Sequence, residues 1–236
     1  MFRFFTEKIF EDNLELSKED SHHFLDVLRI NEHEKVEVVA GNGKFIACLE
    51  DVVSNRVVLK KLDKITEENE SEVNLSLAFG ILKNNNTEEV LKYATEVGVK
   101  EFYPLYTKRV VSNISGKEDK KLYRWEKIVE SAAKQSKRDV IPIVHSPINL
   151  KDIEKISEGK KLIVAYESEK KMRFDNIMKK KDMLLIIGPE GGFEEEEIQF
   201  LKNLGAYIIS LGNRTLRAQT AAICASFYII HSLERS

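Results

Sequence analysis

The sequence predicts an α/β protein in two parts, a small β-rich domain followed by a larger one built on a parallel sheet. Three observations predict it. Residues 1–70 contain short β-like runs separated by tight turns. From Val73 onward, short apolar runs alternate with helix-length segments, the rhythm of strand–helix–strand units. Between the two lies residues 64–72, KITEENESE, polar, acidic and without periodicity, which reads as the boundary.

In chain order, Ser17 can cap a helix over residues 18–28, with Phe24, Leu25 and Leu28 on one face. Residues 35–40 (KVEVVA) alternate, Gly41-Asn42-Gly43 turns, residues 44–53 return, and Ser54-Asn55 turns again into 56–62. Strands so closely spaced predict a small antiparallel barrel. In the second part, strand 73–81 leads into a helix over 87–97 that stops at Gly98. Strand 99–106 and a long helix over 119–137 follow. Pro142 and Pro147 bracket an edge-like segment. Then come a short helix at 150–156, strand 161–166, helix 174–180, strand 183–187, helix 194–204, strand 206–210 and helix 216–233.

The strand at 183–187, MLLII, is apolar without alternation and breaks sharply at Gly188-Pro189. Such a run predicts burial on both faces, hence a central place in a parallel sheet. Ligands of open α/β sheets bind at the carboxyl ends of such strands. A second corner of the same kind follows residues 206–210, at LGNRTLR. The loop after MLLII has no Gly-Lys-Ser/Thr and no G-x-G-x-x-G spacing, which excludes a P-loop and a dinucleotide fingerprint. Glu190, inside that loop, has two readings, a carboxylate holding backbone N–H groups or one facing a ligand. Glu194 to Glu197 open a helix, where their charge suits the helix dipole. Helix 216–233 is apolar nearly all round, so it belongs in a core or a subunit interface.

Composition excludes several classes. The 236 residues carry 37 Lys and Arg against 39 Asp and Glu, so no strongly basic nucleic-acid footprint appears in the whole. The charge is unevenly spread: residues 100–140 hold 11 basic and 6 acidic side chains, whereas residues 1–70 hold 10 and 16. A polyanion is expected to meet the larger part first. No eighteen-residue apolar run and no signal peptide occur, which predicts a cytoplasmic protein without a membrane segment. Two distant cysteines and scattered histidines give neither a disulfide framework nor a metal site.

Several motifs, taken together and in order, resemble those of one family. They are His22-His23 with Val27-Leu28-Arg29; Thr95-Glu96-Val97-Gly98-Val99 with Pro104 and Arg109; and Arg124-Trp125-Glu126-Lys127-Ile128 with Ala132, Gln135 and Arg138. Two more are GPEGGF at Gly188 to Phe193, and Leu211-Gly212 with Arg214, Leu216-Arg217 and Thr220-Ala221. The chain resembles the RsmE-type methyltransferases, SPOUT enzymes that methylate N3 of a uridine in 16S ribosomal RNA.

That resemblance implies a PUA-like β-barrel domain at 1–70 and a SPOUT domain with a C-terminal trefoil knot at 71–236. It implies S-adenosylmethionine as cofactor, 16S ribosomal RNA as partner and, with the apolar last helix, a homodimer. The cofactor-binding residues would be Ala165, Tyr166, Glu167, Gly188, Pro189, Gly191, Gly192, Leu211, Gly212, Leu216 and Thr220. Arg217 and Glu190 are the catalytic candidates. Arg29, Lys83, Lys92, Arg109, Lys134 and Arg138 are the expected phosphate contacts. Ribose 2′-O transfer and a non-catalytic role in ribosome assembly are the alternative functions. A metabolite enzyme using the Gly-Pro loop as an anion site would have no need of the N-terminal β domain. The chain departs from the family pattern at Gln219, where Glu is usual, at Ala218, and at Glu194, where Ser or Thr usually caps the helix. A poorer cap costs at most about 1 kcal/mol.

Overall fold

The computed structural model describes residues 1–111, 114, 116–169 and 181–234. They form two compact units, Met1–Asn69 with Lys134–Val140, and Glu70–Ala133 with Ile141–Ser236.

The first unit is a five-stranded sheet of β1 (Arg3–Phe5), β2 (Asn13–Glu15), β3 (Val36–Ala40), β4 (Gly43–Val53) and β5 (Arg56–Ile65), in the order β1-β3-β4-β5-β2. The β4–β5 hairpin turns on Ser54 and Asn55, both at positive φ (51° and 61°), the twist that two-residue hairpins favour. The sheet is mixed, not purely antiparallel as expected, because β1 pairs with β3 in parallel. Phe4, Phe10, Phe24, Phe45, Val38 and Leu59 fill its core. Ser17 Oγ caps α1 (Lys18–His22), accepting from Asp20 N–H at 3.0 Å. The helix does not run on to Leu28 in α form. It widens into a π-turn at His23–Val27, and Arg29 follows with φ 53°. Phe24 within that turn and Ile30 beyond it are both buried, and the Ile30 N–H closes the helix end on Phe24 O at 3.1 Å.

A buried ionic knot explains why Lys134–Val140 belongs with this unit although it comes late in the chain. The Arg3 guanidinium binds Glu37 Oε2 at 2.7 and 2.9 Å and Asp139 Oδ1 at 2.9 Å. It also donates to the carbonyls of Lys137 and Arg138 at 2.6 and 2.7 Å. Lys44 closes the cluster on Asp139 Oδ2 at 2.6 Å.

Among the described residues of the second unit every strand pairing is parallel. Its strands are β6 (Asn74–Gly80), β7 (Glu101–Tyr106), β8 (Ile143–Val144), β9 (Ile148–Asn149), β10 (Lys161–Ala165), β11 (Asp182–Ile187) and β12 (Tyr207–Ile209). Their order is β12-β10-β11-β6-β7-β8, with β9 also on β7. Alternate residues of β11 feed two cores. Met183, Leu185 and Ile187 pack with Leu77, Phe79, Leu91 and Ile229. Leu184 and Ile186 pack with Val164, Ile198 and Leu201. The unbroken apolar run is thus the signature of a strand covered on both faces, as its sequence predicts.

The helices are α2 (Asn86–Val97), α3 (Glu118–Gln135), α4 (Ile153–Ile156), α5 (Glu195–Asn203) and α6 (Ala218–Glu234). A 3₁₀ turn at Leu150–Asp152 precedes α4. The helix expected at 174–180 lies outside the described residues. Gly98 ends α2 in the left-handed conformation, φ 118°. The α6 helix buries Ala221, Ala222, Ala225, Ser226, Ile229 and Ile230, but leaves Cys224, Phe227 and Tyr228 exposed. No helix among the described residues is long and apolar enough to cross a membrane.

Burial alone would raise the Glu37 and Asp139 pKa values. Arg3 and Lys137 around Glu37, and the Asn69 N–H, Lys44 and Arg3 around Asp139, outweigh it and hold both below the ordinary carboxylate range. Depressed carboxylates contribute stability that is full above their unfolded pKa and lost as pH falls through the folded values. Urea denaturation of the protein should therefore show stability falling with pH below about 4. Arg3→Ala, which leaves Glu37 to Lys137 and Asp139 to Lys44 and the Asn69 N–H, should cost about 3 kcal/mol at neutral pH. An unchanged urea midpoint would remove the ionic knot as an organising contact.

Candidate functional site

Three neighbouring parallel strands, β11, β10 and β12, end side by side, and their carboxyl-end loops meet. Between these loops and the head of α6 lies a cavity of about 470 Å³. That is within the usual range for small-molecule sites, and it stands where open parallel sheets bind ligands.

Each wall comes from one loop. Ala165, Tyr166 and Glu167 follow β10. Gly188, Pro189, Glu190 and Gly192 follow β11, with Phe193 beyond them. Ser210 through Leu216, including Leu211 and Gly212, follow β12, and Arg217, Ala218, Gln219 and Ala221 supply the start of α6. Asn86, at the start of α2, completes the lining. The β11 loop is a tight turn closed by Gly192 N–H on Pro189 O at 2.9 Å. Gly192 sits at φ 70°, where any side chain is strained.

Most of the residues expected at the cofactor site come together here. Gly191 and Thr220 do not line the cavity. Thr220 is exposed, because α6 presents Ala218, Gln219 and Ala221 to the cavity and Thr220 projects about 100° round the helix from Ala221. Asn86 was missed: it lies in a polar Asn-rich loop whose sequence advertises only a turn. Leu211 and Leu216 are partly buried apolar surfaces on the β12 loop. Gln219 Oε1 is buried with no hydrogen-bond partner among the described residues.

The catalytic candidates differ in their surroundings. Arg217 is exposed at the cavity wall. The Glu190 carboxylate is engaged: Oε1 accepts the Lys83 N–H at 2.9 Å and lies 3.4 Å from Asn86 Nδ2. Both readings have a counterpart in the geometry: Oε1 ties one loop to the next, and the residue also lines the cavity.

The expected phosphate contacts divide more sharply. Arg29, Lys83 and Lys92 are exposed, Lys92 lying 5.0 Å over the Tyr93 ring. Arg138 is only 4% exposed, which withdraws it from the surface where a phosphate would be met. The segment that carries it is drawn inward by Arg3, which takes its carbonyl. Lys134 is also withdrawn, paired with Asp20 at 3.0 Å with its side chain 20% exposed. Arg109 is bound to Glu194 Oε1 at 2.7 Å and to Gly191 O at 2.9 Å.

The glutamates of α5 do more than complement the helix dipole. Glu197 is buried and accepts both its own helix's Glu194 N–H, at 2.8 Å, and the Lys108 N–H, at 2.9 Å. Glu196 pairs with the Lys108 ammonium. The Glu197–Glu194 bond supplies half of a capping box, which offsets the missing Ser or Thr.

The sequence matches two family models, an RNA methyltransferase domain over residues 69–230 and an RNA methyltransferase PUA domain over residues 16–62. A parallel α/β sheet with a cavity at its carboxyl edge, preceded by a PUA domain, defines the class as an RNA methyltransferase. The ribosomal RNA small subunit methyltransferase E of Mesomycoplasma hyopneumoniae is 35% identical over 233 residues, covering 94% of this chain and 96% of that protein. The Bacillus subtilis protein of the same name is 28% identical, covering 93% and 90%. A solved protein described as a methyltransferase of Legionella pneumophila, in complex with the bound cofactor SAM, is 32% identical with a TM-score of 0.89, covering 98% and 97%. The small subunit methyltransferase E of Neisseria gonorrhoeae, bound to S-adenosyl methionine, superposes with a TM-score of 0.86 at 29% identity, covering 96% and 95%. The chain belongs to the family of ribosomal RNA small subunit methyltransferases E.

Proposed function

We propose that this protein is an S-adenosylmethionine-dependent methyltransferase acting on N3 of a uridine in 16S ribosomal RNA, in the cytoplasm. The observation that carries the reading is the cavity where the β10, β11 and β12 loops meet. Its residues fit the cofactor. Glycine-containing turns bring backbone N–H and C=O groups to the surface, and Leu211 and Leu216 offer apolar area to a flat base. S-adenosylmethionine, when bound, supplies a methyl group on a positively charged sulfur.

The protein's part is to position the uracil edge and to favour loss of the N3 proton. The N3 proton would pass to water as the N–H electron pair stays on nitrogen; that pair would bond the methyl carbon while the methyl–sulfur bond breaks and its electrons return to sulfur, leaving the neutral thioether. Arg217 is permanently charged and stands at the cavity wall, so it stabilises the negative charge that develops on the imide. Gln219 cannot accept that proton near neutral pH. Glu190 is assigned to holding the loop rather than to taking the proton, since its carboxylate is bonded to the Lys83 N–H.

The same reading includes a closed PUA-like barrel in the first unit and a trefoil knot in the second. The knot is supported by the path of the chain, which leaves β12 at one edge of the sheet and returns as α6 against α2, β6 and β11. Arg29, Lys83 and Lys92 are the phosphate contacts retained. A homodimer through α6 accounts for the exposed Phe227 and Tyr228 on a helix whose other face is already in the core.

Three measurements check this reading. In titration calorimetry with S-adenosylmethionine, Gly192→Val should weaken binding at least tenfold, as a branched side chain is forced to positive φ and into the turn. Unchanged affinity would place the cofactor elsewhere. Arg217→Ala should lower turnover on unmodified 16S RNA by roughly 10², the size seen for one lost oxyanion donor, with cofactor affinity preserved. Near-normal turnover would defeat its assignment. Sedimentation at micromolar concentration should give a dimer that Phe227→Lys dissociates, and a folded wild-type monomer would refute the α6 interface.

A further inference from the structure

The turn at residues 189–192 is held from outside by the two loops that flank it. On one side Glu190 takes the Lys83 N–H. On the other, Arg109 in the β7–α3 loop donates Nη1 to Gly191 O at 2.9 Å and Nε to Glu194 Oε1 at 2.7 Å. One planar guanidinium thus spans the tip of the turn and the residue that starts α5. Its own position is fixed through its neighbour, since the Lys108 N–H is bonded to buried Glu197 and the Lys108 ammonium to Glu196.

Gly191 has its identity for the same reason. A Cβ there would stand 3.0 Å from Arg109 Cβ and 3.4 Å from Arg109 O. The two loops are therefore packed backbone to backbone, and Gly191 faces Arg109 rather than the cavity. The Glu194 carboxylate also offsets the charge that a phosphate would require of Arg109. An arginine so engaged is poorly placed to hold RNA.

We propose that Arg109 is a positioning residue for the cofactor, acting through Gly191 to keep the 189–192 turn in the shape that lines the cavity, and that it makes no phosphate contact. This rests on the reading of the cavity as the S-adenosylmethionine site. A turn already ordered before binding removes an entropic cost from the cofactor's association. That cost is common to ground and transition states, so its return raises KM rather than lowering kcat. Lysine keeps the charge but lacks the fork that reaches two acceptors at once.

The experiment compares the full-length wild type with Arg109→Ala, Arg109→Lys and Glu194→Gln. It reads S-adenosylmethionine affinity, steady-state kinetics, and the salt dependence of 16S RNA binding. Arg109→Ala should raise KM and Kd for S-adenosylmethionine roughly three- to tenfold, the scale of a charged hydrogen bond at a half-exposed site. Its kcat should stay within about twofold. Arg109→Lys should recover part of the affinity, Glu194→Gln should lose part of it, and the RNA salt slope should match the wild type throughout. Thermal unfolding controls for folding. If Arg109→Ala does not fold, Arg109→Gln removes the charge and keeps one donor.

Wild-type cofactor affinity in a folded Arg109→Ala or Arg109→Gln protein overturns the proposal. So does a log–log salt slope shallower by about 0.7–0.9, which is the signature of one lost phosphate contact. A wild-type protein that does not bind S-adenosylmethionine fails the site reading itself, a result distinguishable from failure of the Arg109 clamp alone.

Discussion

A strand with parallel neighbours on both sides and a packed layer on each face cannot slip its register, because a one-residue shift would exchange the two cores it feeds. This is the constraint on β11. Met183, Leu185 and Ile187 belong to one core, Leu184 and Ile186 to the other. The end of the strand is therefore fixed in space, and so is the start of the loop that follows it. The loops after β10 and β12 stand beside it because those strands pair in the same parallel sense. The cavity is thus set by the sheet, and loop chemistry only finishes it.

Finishing it is largely electrostatic. Four carboxylates, Glu190, Glu194, Glu196 and Glu197, are spent on the loops around the cavity, each bonded to a neighbouring backbone N–H or a basic side chain. The Arg109 bond lowers the Glu194 pKa, and the pairing in turn raises that of Arg109. These exposed pairs contribute little stability singly. Their effect lies in geometry, since each bond joins one carboxyl-end loop to the next. Cations elsewhere in the chain are engaged in the same way, so a count of basic residues is not a count of free charges. Between residues 100 and 140, Arg109, Lys134 and Arg138 all have partners or are buried.

What the sequence made legible follows from local rules. The apolar run of β11, the Ser17 cap, the Ser54-Asn55 turn and the Gly98 terminus each depend on a few adjacent residues. Periodicity and turn chemistry read these directly. The parallel partner of β1, the assignment of Lys134–Val140 to the first unit and the burial of Arg138 depend on one long-range contact set around Arg3. No local pattern encodes it. Two of the expected cavity residues failed for a related reason. A motif gives the order of Gly191 and Thr220 beside lining residues, but the direction each faces is set by the Arg109 backbone and by the phase of α6.

Gln219 reaches the cavity from the first turn of α6. Its Oε1 is buried at the cavity wall without a partner among the described residues. An unsatisfied amide oxygen costs about 1–3 kcal/mol, and an unpaired carboxylate in the same place would cost more, because desolvation penalises charge most heavily. Glutamine is therefore the residue that this pocket holds at the lower cost, with its amide oxygen as the unpartnered acceptor. Two permanently charged side chains, Arg214 and Arg217, then stand at the cavity wall beside a neutral amide. In the proposed reaction, fixed positive charge of this kind stabilises an anion developing on the substrate without a side chain taking up the proton.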